Sequence, residues 1–386
     1  GENLFHSFEE FNVGEDRGVY FANPDAITNI FSRVTGNDVS NILGTLGVDG
    51  AANLYLINPN GIVFGEGASL DVQGSFTATT ADGIEFGEQG FFSTVNPTNS
   101  VLTISVPLGL QFGSNPGNII NRSFVKDSTG DNVGLQVPSG ENLALVGGDV
   151  SFEAGEATAK GGNIEIGGLG AAGEVTFNDD GSLNFPLDVA KADISLSNAA
   201  DVDASGIGGG NITINARNLD LTAGQFGRSL IRTGIRPESI SNEAQAGDVN
   251  VNVKDELTLD NSRISNQVFA EGIGNSGDIN ITTGSLNAIN GGDIDASTLG
   301  QGNAGSVNIV ARDIAFDGET PDGFGSGASS IVDVGAEGNT EGINISTNNL
   351  TLTNGGRVST SRLGQGNAGQ INIIATENIT ATGETL

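Results

Sequence analysis

Apolar residues alternate with polar ones in short runs along this 386-residue chain, and the runs recur. The clearest block is an apolar pair at i, i+2: Ile212/Ile214, Val249/Val251, Ile279/Ile281, Val307/Ile309, Ile343/Ile345 and Ile371/Ile373. Successive blocks are 37, 30, 28, 36 and 28 residues apart. Ile164/Ile166 reads as an earlier, diverged copy. A second pair follows five or six residues later: Leu219/Leu221, Leu257/Leu259, Leu286/Ala288, Ile314/Phe316, Leu350/Leu352 and Ile379/Ala381. A third run carries one inward residue each time: Val202, Ile240, Ile264, Ile294, Ile331 and Val358. Period-2 alternation is the mark of strands whose one face is buried. No sustained i, i+3, i+4 pattern competes with it. Each period is therefore expected to hold three short strands divided by Gly/Asn turns.

Such a unit cannot bury its apolar face alone, but copies can stack, pairing at about 4.8 Å. Three strands per coil predict an all-β, right-handed parallel β-helix, a triangular prism with an Ile/Val/Leu interior. The uneven spacings become loops inserted at corners, which cost little closure entropy. A propeller blade needs about 40 residues, too many for the 28-residue spacings. The hexapeptide GQGNAG occurs twice, at 300–305 and 364–369. Its Asn, with the others in GN turns (Asn275, Asn303, Asn339, Asn367), would fall into line along the stack. Stacked amides there form either a hydrogen-bonded ladder or simply tolerant turn residues. Three regions follow: 1–120, 121–200 and repeats over 201–386, the last continuous with the solenoid before it.

Composition agrees with many tight turns: 60 Gly, 9 Pro, and no Cys, Met or Trp. The net charge of −32 argues against nucleic acid and against anionic lipid. Without Cys there are no disulfides, thiol nucleophiles or Cys-based metal sites. No stretch is long and apolar enough to span a bilayer as a helix. Residue 1 already lies in patterned sequence, so the expectation is that a secretory leader has been removed. Further repeats are expected past residue 386.

The first 120 residues differ. They hold eleven of the 19 Phe and both Tyr, which suits a cap closing the first coil. Phe5, Phe8 and Phe11 are expected in a capping strand or turn. Several motifs follow in order: NLFHSFEEFNV at 3–13, RVTG at 33–36, ILGTL at 42–46, LINPNGIVFG at 56–65, GSFTATTADGI at 74–84 and PLGLQFG at 107–113. Together with 140–155 they resemble the two-partner-secretion, or haemagglutination-activity, domain of the filamentous haemagglutinin family. NPNGI matches one of that family's two signatures. The other, NPNL, is only loosely echoed by Asn23-Pro24-Asp25-Ala26. The resemblance implies a secreted or cell-surface exoprotein, threaded across the outer membrane by a β-barrel transporter with periplasmic docking modules. It marks Asn58, Pro59, Asn60, Gly61 and Ile62 as the secretion motif, with Asn23, Pro24, Arg33 and Gly36 as a second element. Read physically, Pro59 and Asn60 suit the middle of a type I turn and Gly61 an αL site after it. The turn closes a hairpin or coil corner between 55–57 and 62–64. Whether the motif serves folding or direct contact with the transporter stays open.

Enzyme chemistry finds little support. His6 is the sole His, inside the aromatic region, so no Ser–His or Cys–His pair exists. No cofactor or metal is implied, and no EF-hand or GGxGxD loop is present. Asp201/Asp203 and Asp293/Asp295 put paired carboxylates on one strand face, as a glycan-cleaving β-helix would need. They equally occupy the outward positions of ordinary strands, in a column with Ser239, Arg263, Ser330 and Arg357. Arg263 would then pair with Asp293 across one coil, at most about 1 kcal/mol at a surface. Arg228, Arg232 and Arg236 form the one basic cluster, expected on a projecting loop that contacts an anion or glycan, or that merely neutralises nearby acids. The leading reading is a non-enzymatic adhesin or structural stalk, with a host or cell-surface glycan or protein as a further partner. The alternatives are a polysaccharide-cleaving enzyme and a carrier for a C-terminal effector.

Overall fold

A computed structural model describes residues 2–87, 90–99, 106–178 and 182–383. The described residues hold strands, turns and one short 3-10 segment, Pro97–Asn99, with no α-helix. The chain divides into two compact units: Gly1–Ala159 with Glu165–Ile194, and Lys160–Ile164 with Ser195–Leu386. Each is a stack of parallel strands, the architecture of a parallel β-helix.

In the C-terminal unit the predicted ladders are met rung by rung. Ile212 aligns with Val249, Val249 with Ile279, Ile279 with Val307, Val307 with Ile343, and Ile343 with Ile371. The second ladder, Leu219 through Leu257, Leu286, Ile314 and Leu350 to Ile379, keeps the same partners. Ile279, Val307 and Ile343 are wholly buried, as the pairing of one aliphatic face per coil requires. The two blocks are not separate strands. Each coil runs them as one strand of 11 to 14 residues, such as Ala304–Asp317 and Thr340–Thr353. Register irregularities between the blocks, at Ala216/Asn218, Asn252/Glu256 and Thr347/Asn349, bend three of the pairings.

The third ladder corrects two expected positions. Val202 is followed by Ile231, then Ile264, Ile294, Ala328 and Val358. Ile240 and Ile331 do not belong to it. Ile240 is 86% exposed, on a two-stranded flap (Ile240–Gln245 with Ile273–Asn275), and Ile331 pairs with Ser361. The outward column changes with it: Leu230 and Gly327, not Ser239 and Ser330, share it with Asp201, Arg263, Asp293 and Arg357. The physical reason is the choice of loop. The chain absorbs its longest interval after the third strand, so the strand begins nine residues earlier than its apolar spacing suggested.

The corner Asn residues form the ladder. Asn275 Oδ1 accepts from the Asn303 backbone N–H at 2.9 Å. The Asn303 and Asn339 oxygens each accept from both the backbone N–H and Nδ2 of the next Asn, at 2.9 to 3.0 Å. A second ladder, Asn250–Asn280–Asn308–Asn344, runs along the strand faces. In the N-terminal unit Asn3, Asn29 and Asn53 form another.

The N-terminal unit stacks Asn3–Phe8, Asn29–Val34, Asn53–Ile57, Phe76–Thr79 and Leu143–Gly147. The jump from Thr79 to Leu143 arises because the chain leaves the stack to build an antiparallel sheet: Gly83–Glu85, Phe91–Ser93, Gly109–Phe112, Gly173–Phe177 and Leu183–Asn184. This explains why the early strands are apolar on both faces. Ile30 and Leu54 point inward, while Phe5, Phe31 and Tyr55 stack along the outer face beneath Phe86, Phe92, Leu110 and Phe112. Apart from the interior pair Phe64 and Phe76, these aromatics gather in two groups. One is this buried seam; the other, His6, Phe8, Phe11 and Phe21, lies at the first coil as expected of a cap. Phe5 and Phe8 lie in a strand.

Replacing Ile279 with Ala should lower stability by roughly 2–5 kcal/mol, because its cavity is lined on both sides by neighbouring coils. The same change at Ile371, 42% exposed on the last described coil, should cost well under half as much in this chain. Urea unfolding of the two variants compares them directly.

Candidate secretion motif and charged face

NPNGI turns a coil corner and makes no hairpin. Asn53–Ile57 and Ile62–Phe64 pair with other coils, not with one another. The Gly61 N–H donates to the Asn58 carbonyl at 3.1 Å, closing a four-residue turn around Pro59 and Asn60. Gly61 has φ +125°, beyond the expected αL site. A Cβ there would meet the Asn118 carbonyl at 3.0 Å, so only Gly combines this φ with that approach.

The Asn side chains hold the corner to earlier coils. Asn58 is fully buried. Its Nδ2 donates to the Asp38 carbonyl and to Ser40 Oγ, both at 2.9 Å. Its Oδ1 accepts from the backbone N–H and the Nδ2 of Asn60, each at 3.0 Å. Asn60 Nδ2 also reaches the Gly36 carbonyl at 2.8 Å. Ile62 is buried, between Ser40 and Ile119 in the pairing. Gly36 packs against the Glu9 carbonyl, where a Cβ would come within 2.2 Å. The structure therefore joins Gly36 of the second element to the NPNGI turn.

Arg33 serves another place. Its guanidinium lies 4.2 Å from the Phe92 ring centroid and donates to the Ser93 carbonyl and to Ser7 Oγ. It is 7% exposed, and it ties the stack to the antiparallel sheet. Asn23 and Pro24 form a separate corner. With the Asn23 amide oriented to suit its neighbours, it donates to the Ile27 carbonyl and accepts from the Ala51 and Ala52 N–H groups. The Ile27 N–H closes the turn on the Pro24 carbonyl, with Ala26 at φ +71°.

The basic cluster is not on a projecting loop. Arg232 lies in the strand Leu230–Ile235, within the stack. It grips Asp201 through Nε and Nη2, at 3.0 and 2.6 Å, and approaches Asp203 at 3.2 Å. Arg236 pairs with Asp203. Arg228 donates to the Asn261, Ser262 and Gly291 carbonyls across two coils. Sequence spacing missed this because each partner lies about thirty residues away, one coil removed.

The acidic pairs are less exposed than outward positions suggested. Asp203, Asp293 and Asp295 are each under 8% exposed. Asp295 accepts from Gln267, Ser297 and Ser329, and Asp293 from Ser329. Arg263 and Asp293 do pair across one coil, at 3.1 Å, but in a part-buried setting. Burial, reinforced by Asp295, raises the Asp293 pKa to about 6, against the opposing pull of Arg263, Arg228 and Arg357. At the cap, burial lowers the His6 pKa, which favours its neutral form.

A family model of the TPS secretion domain matches residues 1–214. The chain belongs to this family. It is a two-partner-secretion exoprotein, and its family implies an outer-membrane transporter as partner. Over 83 residues, 22% of the chain, it is 40% identical to a heme/hemopexin-binding protein of Haemophilus influenzae. A second such protein of that species is 36% identical over 75 residues. The matches span only 9% and 8% of those relatives. The crystal structure of the HMW1 secretion domain from Haemophilus influenzae shares the fold with a TM-score of 0.52 at 17% identity. That likeness covers 98% of this chain and 93% of the other.

The raised Asp293 pKa sets a sign for the pH response. The folded carboxyl holds its proton more tightly than the unfolded one, at about 6 against 3.8. Its contribution to stability is fully present below pH 3.8 and is lost as pH rises through about 6. Urea midpoints of Asp293→Asn should therefore fall less over that interval than those of the parent chain.

Proposed function

We propose that the N-terminal unit directs export by presenting a folded coil stack pinned at the NPNGI corner, and that the following coils act as an adhesive or structural stalk. The partner in export is an outer-membrane β-barrel transporter with periplasmic docking modules, and the destination is the cell surface or the medium. The observation that carries the folding role of NPNGI is the use of its side chains. Both amides of Asn58 and Asn60 are spent on Gly36, Asp38, Ser40 and each other, and Gly61 is pinned by Asn118. Little of the motif's polar capacity is left to face a partner. We read Arg33 and Gly36 the same way, as residues that seat the first coils, and Asn23 with Pro24 as a second corner.

We also read the chain as non-enzymatic. Both carboxylate pairs are engaged by Arg, Gln or Ser from adjacent coils, which makes them parts of the lateral scaffold. An acid or nucleophile needs reach to a substrate.

The double variant Asn60→Ala/Gly61→Ala should abolish release by the cognate transporter while synthesis continues. In purified form it should unfold at clearly lower urea concentration, since two part-buried hydrogen bonds and a special φ are lost, roughly 2–4 kcal/mol together. A variant of unchanged stability that fails to bind the transporter would instead make the motif a contact surface. Normal secretion would defeat the export role altogether.

A further inference from the structure

The outer face of the first three coils carries an aromatic ring that the core does not use. Gly18–Ala22, Thr45–Asp49 and Ser69–Asp71 pair in parallel there, with Tyr20 beside Gly47 and Gly47 beside Asp71. Phe21, Leu46 and Val48 are buried, so Tyr20, Thr45, Gly47, Asp49, Ser69 and Asp71 take the outer face. Tyr20 does not stand up from the sheet. A Cβ on Gly18 would come within 2.8 Å of its ring, and one on Gly47 within 2.4 Å, so the ring lies flat over both glycines. Its hydroxyl donates to Asp71 Oδ2 at 3.0 Å, which fixes the ring across the middle coil. That bond above all, with the charge of Asp49 adding to it, raises the Tyr20 pKa and keeps the hydroxyl a donor. One face of the ring thus rests on backbone and the other meets solvent, with the residue 46% exposed. Tyr55, by contrast, is packed beneath the antiparallel sheet.

The rim of this platform is polar. Thr45 Oγ1 and Ser69 Oγ lie 2.9 Å apart on one side. Exposed Asp49 lies on the other, two residues from Gly47 on the same face. At the Thr45 end the platform opens into a groove of 590 Å³, lined by Glu15, Asp16, Arg17 and Glu66 together with Thr45. The carboxylates of Glu15, Asp16, Asp49, Glu66 and Asp71 therefore stand against the Arg17 guanidinium. The hairpin of the next coil, closed by the bridge between Lys126 and Asn132, carries Lys126 with Asp127 and Asp131 and leaves the balance acidic.

We propose that this face binds a neutral oligosaccharide, with one sugar ring stacked on Tyr20 and the next in the groove. A pyranose with equatorial hydroxyls has a flat C–H face that covers an aromatic ring, and its edge hydroxyls donate to carboxylates and exchange hydrogen bonds with Ser or Thr. Asp49, Asp71 and Thr45 stand at that edge. The groove is of the size that holds small ligands. An acidic sugar would meet like charge. A cation would take the ring face and a carboxylate, but it has no use for the hydroxyl pair or for a groove that includes Arg17. The site lies in the N-terminal unit and is tested on purified protein, so it stands apart from the export reading and from the stalk assigned to the later coils.

The chain has two Tyr and no Trp, so the ring signals of Tyr20 are read by NMR of Tyr-labelled protein, with buried Tyr55 as the internal control. The whole chain is titrated with cellotriose, tri-N-acetylchitotriose, trigalacturonate and trilysine. At least one neutral trisaccharide should shift Tyr20 saturably and leave Tyr55 in place, with trigalacturonate at least about tenfold weaker. Ligand-observed NMR follows the variants. Tyr20→Ala should weaken binding about tenfold, and Asp49→Ala about threefold or more. Arg312→Ala, in the other unit, should change nothing. Asp49 is exposed, so its variant keeps the fold and carries the test if Tyr20→Ala unfolds the sheet. Which trisaccharide binds better tells a glucan from an N-acetylglucosamine polymer, and either supports the site. Absence of a saturable Tyr20 shift, equal binding of trigalacturonate, tighter binding of trilysine than of either neutral sugar, or indifference to both substitutions overturns it.

Discussion

Everything in this molecule rests on in-register parallel pairing between coils. Each coil satisfies its backbone groups only through the coils before and after it, and buries its Ile, Val and Leu only against theirs. Ile279 is dry because Val249 and Val307 flank it. Ile371 is wetter for want of a described coil on its far side. Stability is therefore nearest-neighbour in character, and an error of register at one rung would turn an aliphatic face outward.

Register needs more than apolar residues, because the coils from Ile212 onward differ in length by up to nine residues. The amide ladders meet that need. An Asn at a corner accepts the next coil's N–H and donates its own amide back to the coil before, so a slip of one residue breaks several hydrogen bonds together. NPNGI does the same work in the N-terminal unit with a stiffer device. Pro59 narrows the turn, Asn58 and Asn60 lock it to coil corners at Gly36 and Asp38, and Gly61 permits the approach of Asn118.

The charged face shows a different balance. Outward Asp residues at 203, 293 and 295 would ordinarily be solvated, yet small neighbours such as Ser265, Gly327 and Ser329 leave them in a trough, with Arg side chains over Asp203 and Asp293 and Gln267 on Asp295. Desolvation then outweighs the Arg attraction at Asp293. Such ion pairs add little net stability and chiefly dictate which side chains can sit opposite one another.

The periodic aliphatic pairs specified the all-β stack, two of its three ladders and the Asn corners, because period-2 burial and turn chemistry are local properties that a chain states residue by residue. The order of NPNGI and its companion motifs specified the family. Tertiary structure alone decided where each long interval is inserted. That choice put Ile231 in the ladder and left Ile240 in water. It also decided that Arg232 faces Asp201, and that Phe31 and Tyr55 lie under an antiparallel sheet. These are pairings between residues tens of positions apart, fixed by competition among loops and by burial on a second face. A one-dimensional pattern carries no term for either.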